Sequence, residues 1–206
     1  MSIRISTKVK IPRTGIIRGA GPLNVPMIKQ EQRNWCWAAC ADMILHYYGN
    51  PGITQCQLAN WAFGQSSCCQ IPSSTLCDNG IGDAKISQLF SVYGLRSSYT
   101  ANYVAYGILD IEIGSRRPVE VGYTWNGGGG HVAVVIETTV ISGRQVVSVN
   151  DPGYGPGSVY YPDLLTAYGL GRWDATWSTP QIPLSTRPAP GRDYPPPGPF
   201  AAKDRS

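Results

Sequence analysis

Apolar residues in the first half of the chain recur at the three- and four-residue spacing of helices that bury one face. This pattern predicts a helix from Cys36 to about Tyr48, which Gly49 and the following Asn50 and Pro51 end. Three further helices are predicted: one after Thr54 as N-cap, running through Gln57 to Ala62, one from Asp83 to Val92, and one near Val104 to Ile113.

The second half changes to the two-residue alternation and β-branched runs that are typical of strands. Strands are predicted at about 118–125, 131–138, 145–150, 157–161 and 173–177. Helices followed by strands indicate an α+β fold, with a helical N-terminal half and an antiparallel β-sheet in the C-terminal half.

Composition favours one folded domain with an appendage at each end. A chain of 206 residues that is 42% hydrophobic can bury a core of its own. We assign residues 25–179 to this domain, residues 1–24 to a basic N-terminal arm, and residues 180–206 to a proline-rich, mobile tail. The arm is interpreted as a flexible segment, a pro-segment that covers the site, or a strand added to the fold.

Charge and hydropathy limit the classes of partner. The net charge of +4 is concentrated in the arm. Basic and aromatic residues are not interleaved along the chain, so a nucleic-acid-binding surface is not predicted. The longest apolar runs have the length of strands, which predicts no membrane span. The arm also lacks the apolar core of a secretory signal.

The segment Gln30-Glu31-Gln32-Arg33-Asn34-Trp35-Cys36-Trp37-Ala38-Ala39 places a cysteine at the start of the first predicted helix. The positive end of a helix dipole favours a thiolate over a thiol, so Cys36 is the candidate nucleophile. A glutamine six residues earlier can help the Cys36 backbone N–H to hold an oxyanion. Gln30 has this spacing, whereas Gln32 is interpreted as a solvated side chain.

A thiol nucleophile needs a base, and the chain has two histidines. His131 follows Asn126 and four glycines and begins the predicted strand at 131–138. His46 lies on the same predicted helix as Cys36, about 15 Å further along its axis, which is too far for proton transfer. His131 is therefore the candidate base.

A third group should orient the imidazole, and the strand at 145–150 leads to two candidates, Asn150 and Asp151. Because side chains alternate across a strand, one of them at most can face His131.

These motifs together resemble the papain-like cysteine peptidases. The resemblance covers roughly residues 25 to 178 and rests on Gln30-x5-Cys36-Trp37-Ala38-Ala39, Arg117-Pro118-Val119-Glu120-Val121-Gly122, Gly130-His131-Val132-Ala133-Val134 and Asn150-Asp151-Pro152. The chain is most similar to compact bacterial branches, namely double-glycine leader peptidases and plant-pathogen effector proteases. In these branches the residue that orients the histidine is an aspartate in an Asp-Pro pair, which implies Asp151 for this role. Plant papains have an asparagine in this role, which keeps Asn150 as the alternative.

The resemblance implies a two-lobed fold and a peptidase that acts on protein or peptide substrates as a monomer without a cofactor or metal. Cys36 would attack the scissile carbonyl, His131 would move the proton, Asp151 would orient His131, and Gln30 would hold the oxyanion. Effector and toxin roles are compatible with it. Two alternatives remain open. The first is a protein glutamine deamidase or transglutaminase that uses the same residues, and the second is a non-catalytic binding module with the same fold.

The remaining cysteines are Cys40, Cys56, Cys68, Cys69 and Cys77. Two disulfides and one free thiol would fit them, with the adjacent Cys68 and Cys69 bonded to different partners, and the spacing leaves the connectivity open. Cys40 is predicted to be a core residue or half of a disulfide. Disulfides favour a protein exported by a route that needs no signal peptide.

Overall fold

The computed structural model of the protein describes residues 18–179. It contains five α-helices: α1 (Cys36–Tyr47), α2 (Gln55–Phe63), α3 (Asp83–Val92), α4 (Tyr106–Gly114) and α5 (Tyr161–Leu165). Its seven strands are β1 (Arg18–Ala20), β2 (Ser98–Thr100), β3 (Val119–Trp125), β4 (Gly130–Ile141), β5 (Arg144–Asp151), β6 (Gly155–Tyr160) and β7 (Gly171–Ser178).

The strands form one antiparallel sheet in the order β2-β7-β3-β4-β5-β6. Strand β4 is the long central strand. Along one edge it pairs first with β3 and then, at Thr138 to Val140, with β1. The other edge of β4 pairs with β5. The α+β prediction is confirmed, with helices α1 to α3 preceding most of the sheet in the chain.

Helix α1 packs its apolar residues into the core and lies against β4. Met43, Ile44 and Leu45 are fully buried, and the Cys40 thiol donates a hydrogen bond to the Val132 carbonyl at 3.4 Å. The four predicted helices and five predicted strands are all present. The structure adds β1, β2, α5 and a short 3-10 helix, which are too short to leave a periodic pattern in the sequence.

The start of α1 has no side-chain N-cap, and two tryptophans fix it instead. The indole N–H of Trp35 donates to the Cys77 carbonyl at 2.8 Å, and that of Trp37 donates to the Asn79 carbonyl at 3.0 Å. The loop that leads into α3 is therefore held against the first turn of α1.

Two disulfides close the loop between α2 and α3. They join Cys56 to Cys69 and Cys68 to Cys77, so the adjacent cysteines do bond to different partners. Cys36 and Cys40 remain as free thiols. Cys40 is buried in the core, as predicted, and it is not half of a disulfide.

The buried Cys68–Cys77 disulfide should contribute measurably to stability. It closes a loop with a sequence separation of 9, and both sulfurs are shielded from solvent. The Cys68→Ala/Cys77→Ala variant should lose about 2–3 kcal/mol of unfolding free energy, because the cross-link restricts the unfolded chain. Urea denaturation measures this, with Cys36→Ala as the control that keeps both disulfides. An unchanged midpoint in the double variant would contradict the expectation.

The two appendages are described only in part. Of the arm at 1–24, residues 18–24 join the fold: β1 pairs with β4, and the Leu23 backbone N–H donates to the Ile136 carbonyl at 2.9 Å. Leu23 is 4% exposed, which makes it a core residue. This part of the arm is therefore a strand added to the fold, one of the three interpretations given for it. Residues 1–17 and the proline-rich segment 180–206 lie outside the described residues.

Between residues 18 and 179, no helix is long and apolar enough to cross a membrane.

Candidate active site

Cys36 is the first residue of α1 and is partly exposed. The backbone N–H groups of the first helical turn have no partner within the helix, and the helix dipole adds a partial positive charge there. A negative charge on the Cys36 sulfur or on an oxygen bound near its N–H is therefore stabilised. The buried indoles of Trp35 and Trp37 hold this turn in place.

His131 is the second residue of β4 and is 9% exposed. Its Nε2 lies 2.8 Å from Asp151 Oδ1, and the ring lines the same cleft as the Cys36 side chain. Because Asp151 engages Nε2, Nδ1 is the nitrogen left for the Cys36 sulfur. Burial opposes a charge on the ring, but the interactions with Asp151 and Cys36 outweigh it and raise the pKa of His131 to about 10.

Aromatic side chains restrain the imidazole from several sides. The Trp125 ring stacks on it with centroids 5.7 Å apart and planes at 23°, and Tyr154 meets it edge-on at 5.8 Å. Trp125 ends β3 and Tyr154 follows β5, so the sheet orients both rings. The sequence pattern around Trp125 and Tyr154 gives no signal for this stacking, because it depends on contacts between separate strands.

Asp151 ends β5 and is fully buried. Its Oδ1 accepts hydrogen bonds from the backbone N–H groups of Gly153 at 2.9 Å and Tyr154 at 3.0 Å, in addition to its contact with His131. Its Oδ2 has no hydrogen-bond partner among the described residues. The carboxylate is thus fixed by the turn that follows the strand.

Asn150, the alternative third residue, lies away from the imidazole. Its side-chain amide donates to the Val25 carbonyl at 3.0 Å, and the residue is 3% exposed. The strand alternation that allowed only one of the two residues to face His131 accounts for this difference. Asn150 therefore ties the start of the domain to β5.

Gln30 lies close to the same turn. A Cβ added at Gly153 would be 3.4 Å from Gln30 Oε1 and 3.5 Å from His131 Cε1, so the two side chains flank this glycine. The Gln30 side-chain amide donates to the carbonyls of Gln32 at 2.9 Å and Arg33 at 2.7 Å. An amide has two N–H donors, and both are engaged by backbone carbonyls in this state.

The other thiol and the other histidine are set apart from this arrangement. Burial raises the pKa of Cys40 well above its usual value, and nearby Glu120 adds to the effect. His46 lies in the last turn of α1, at the opposite end from Cys36, and is exposed.

Glu120 is a buried acid that sequence reasoning did not single out. It lies on β3, is 0% exposed, and neither carboxyl oxygen has a hydrogen-bond partner within residues 18–179. Burial raises its pKa well above the usual value, with further contributions from Cys36 and Asp83. One charged residue within the apolar run Val119-Glu120-Val121 was the signal that could have identified it.

A cleft of about 320 Å³ opens beside the Cys36 and His131 side chains. Trp37, Ile81 and Thr124 contribute to its walls, so α1, the loop before α3 and β3 all meet there. Within the described part of the chain, no three His, Cys, Asp or Glu side chains come together as a metal site. The cleft thus gives a bound molecule access to the Cys36 thiol and the His131 imidazole.

Comparison with known proteins identifies one family. The sequence profile of the family described as papain-like cysteine protease AvrRpt2 matches residues 20–160. No curated protein sequence matches the chain.

Solved structures with a similar fold include a double-glycine-motif protease from an AMS/PCAT transporter, crystallised with the leader peptide. It is 19% identical, with a TM-score of 0.51 over 80% of this chain and 96% of that chain. UfSP from C. elegans is 18% identical, with a TM-score of 0.47 over 84% of this chain and 35% of that chain. A structure from work on the mite allergens Blo t 1 and Der p 1 is 11% identical, with a TM-score of 0.48 over 84% of this chain and 74% of that chain. The likeness to the first of these shows a shared fold.

Proposed function

Because the chain belongs to the family of the papain-like cysteine protease AvrRpt2 and is a cysteine peptidase, we propose that Cys36 is its nucleophile and His131 its base. The observation that carries this proposal is the position of the His131 ring, which hydrogen-bonds Asp151 and lines the same cleft as Cys36. Nucleophile, base and orienting carboxylate are the three groups that acyl transfer by a thiol requires.

In the first half of the reaction, the thiol proton passes to His131 and the Cys36 sulfur attacks the scissile carbonyl carbon of a protein or peptide substrate. The helix dipole stabilises the thiolate. The Asp151 carboxylate stabilises the imidazolium that accompanies it, and the raised pKa of His131 reflects this. Collapse of the tetrahedral intermediate breaks the C–N bond, and His131 donates its proton to the departing amine. This leaves a thioester on Cys36.

In the second half, a water molecule attacks the thioester while His131 accepts one of its protons. The C–S bond then breaks, the carboxylic acid product leaves, and the thiol is restored. Asp151 holds Nε2 throughout, so that Nδ1 keeps facing the sulfur.

The oxyanion of both tetrahedral intermediates is assigned to the Cys36 backbone N–H and the Gln30 side chain. In the described state, Gln30 donates to the carbonyls of Gln32 and Arg33. Gln30 must therefore exchange one of these two hydrogen bonds for the oxyanion. A donor that becomes available as the charge forms stabilises the transition state more than the bound substrate.

A proteome-derived peptide mixture tests the proposed function. Wild type should generate new peptide N-termini, detected by mass spectrometry, and the Cys36→Ala variant should generate none. If wild type instead deamidates glutamine side chains and generates no new N-termini, the same thiol hydrolyses side-chain amides and not peptide bonds. New termini that persist in Cys36→Ala would contradict the assignment of the nucleophile.

A further inference from the structure

The cleft beside the proposed nucleophile combines apolar walls with acidic groups. Cys36 and His131 line it together with the carboxylate residues Asp83 and Asp174. Apart from His131, no basic residue of the described chain contributes to its lining. A side chain that enters this cleft therefore meets negative charge close to the reacting atoms.

Three apolar side chains form a wall of the cleft: Ile86, Ala175 and Trp177. All three are nearly or fully buried in the protein. A Cβ added at Gly122 would lie 3.0 Å from both Ala175 Cβ and the Trp177 ring, so the indole packs directly over this glycine. The Trp177 indole N–H donates to Ser87 Oγ at 3.1 Å, which fixes the ring. This wall is therefore a rigid apolar boundary on the inner side of the cleft.

Asp83 is held at the cleft by two elements. It is the first residue of α3, where the helix dipole favours a negative charge, and its Oδ2 accepts a hydrogen bond from the Tyr99 hydroxyl at 2.6 Å. The Tyr99 ring in turn packs on Trp177 with centroids 5.3 Å apart. Tyr99 thus connects the acidic group to the apolar wall.

Asp174 has one partner of its own, Arg172, whose Nε lies 2.9 Å from Asp174 Oδ2. The Arg172 side chain is 73% exposed, and an exposed pair of this kind contributes little to stability. A cation held inside the cleft can therefore compete with Arg172 for this carboxylate.

Glu120 supplies an independent polar group behind the same wall. Alternation along β3 puts Glu120 on the same face as Gly122, which lines the cleft, and its cross-strand partner is Trp177. It is fully buried, and neither of its carboxyl oxygens has a hydrogen-bond partner among the described residues. A carboxyl group left without a donor in this position can accept a hydrogen bond from a cationic group.

We propose that the cleft binds an arginine or lysine side chain of the substrate, within two residues of the scissile bond, and that Asp83 and Asp174 select it. The aliphatic stem would lie along Ile81, a half-buried apolar residue of the cleft lining, and the cation would reach the carboxylates. Arginine should be preferred to lysine, because its planar guanidinium can bind two carboxylates at once. This inference rests on the proposed function, since it takes Cys36 as the reacting group.

Irreversible peptide inhibitors test the inference without a known cleavage sequence. A set of peptidyl vinyl sulfones would carry arginine at one scanned position, and a matched set would carry citrulline, which has nearly the same shape but no charge. Second-order rates of Cys36 modification in the full chain are measured by mass spectrometry. At one scanned position, arginine should react about tenfold faster than citrulline, because a charge-assisted hydrogen bond discriminates by about this factor.

The variants assign the preference to its residues. In Asp83→Asn/Asp174→Asn the two rates should agree within about twofold, and in Arg172→Gln the preference should increase, because Asp174 loses its competitor. Asp163→Asn is the matched control, since Asp163 lies on α5 and does not line the cleft. It should leave the preference unchanged.

The outcomes separate this inference from the proposed function. Equal rates for arginine and citrulline at every position in wild type would overturn the inference while leaving Cys36 as the nucleophile. A preference that survives in Asp83→Asn/Asp174→Asn would overturn the assignment to these carboxylates. Absence of Cys36 modification by every inhibitor would contradict the proposed function itself, and the inference with it.

Discussion

Replacing Cys36 with alanine should lower kcat/KM for peptide hydrolysis by at least about 10⁴-fold, because no other group can form the acyl-enzyme. The fold should be retained, since Cys36 is partly exposed and the indoles of Trp35 and Trp37 fix the first turn of α1. Steady-state rates with a cleaved peptide measure the loss, and urea denaturation checks that the variant is folded.

Cys40 provides the matched control for this prediction. It is the other free thiol of the described chain, it is fully buried, and burial raises its pKa well above the usual value. Cys40→Ala should keep kcat/KM within about threefold of wild type, because a buried neutral thiol is a small apolar side chain. A larger loss in Cys40→Ala than in Cys36→Ala would move the nucleophile one turn along the helix.

Asp151→Asn should lower kcat by about 10²-fold, the second largest effect expected. The amide oxygen can still accept from Gly153 and Tyr154, so the turn is kept, but the negative charge beside His131 is lost. Asn150→Ala should lose stability through its hydrogen bond to Val25 while keeping kcat within about threefold. Equal losses of kcat, or the reverse order, would assign the third position to Asn150.

The same substitution should change the pH dependence. A His131 pKa of about 10 means that the imidazolium persists into alkaline solution, so activity should fall only as the pH rises towards that value. Removing the Asp151 carboxylate lowers this pKa, because a nearby negative charge stabilises the imidazolium. The alkaline limb of the kcat/KM profile should therefore move down by about 1–3 pH units in Asp151→Asn. An alkaline limb at the same pH in both proteins would contradict the coupling.

Local sequence signals were sufficient for the helix start at Cys36 and for the strand that begins near His131. The helix has an alanine-rich run and ends at Gly49, and β4 is rich in valine and isoleucine, so both elements follow from short-range preferences. The choice between His131 and His46 needed only the rise of an α-helix. Proximity of the candidate residues then followed from the resemblance to a known fold.

Other features depend on contacts between distant segments. Alternation showed that Asn150 and Asp151 face opposite sides, but only the pairing of β5 with β4 determines which of them faces His131. Strand β1 forms because the edge of β4 beyond β3 is open to it, and its three residues carry no pattern of their own.

The acidic cleft is also a product of tertiary structure. Asp83 and Asp174 are far apart in the sequence, and they line one cleft because α3 packs near the strand pair β3 and β7. The hydrogen bonds of Gln30 could not be predicted from the sequence either. Its spacing from Cys36 identifies the residue, but does not reveal that its amide donates to the carbonyls of Gln32 and Arg33.

The measurement that tests the account most directly is labelling with an epoxide inhibitor of thiol proteases, with the adduct located by mass spectrometry. Wild type, Cys36→Ala and His131→Ala would be compared at neutral pH. We predict rapid single labelling at Cys36 in wild type and its loss in both variants, because His131 activates the thiol. Slow or scattered labelling that is indifferent to His131 would contradict the central claim that Cys36 and His131 form an activated pair.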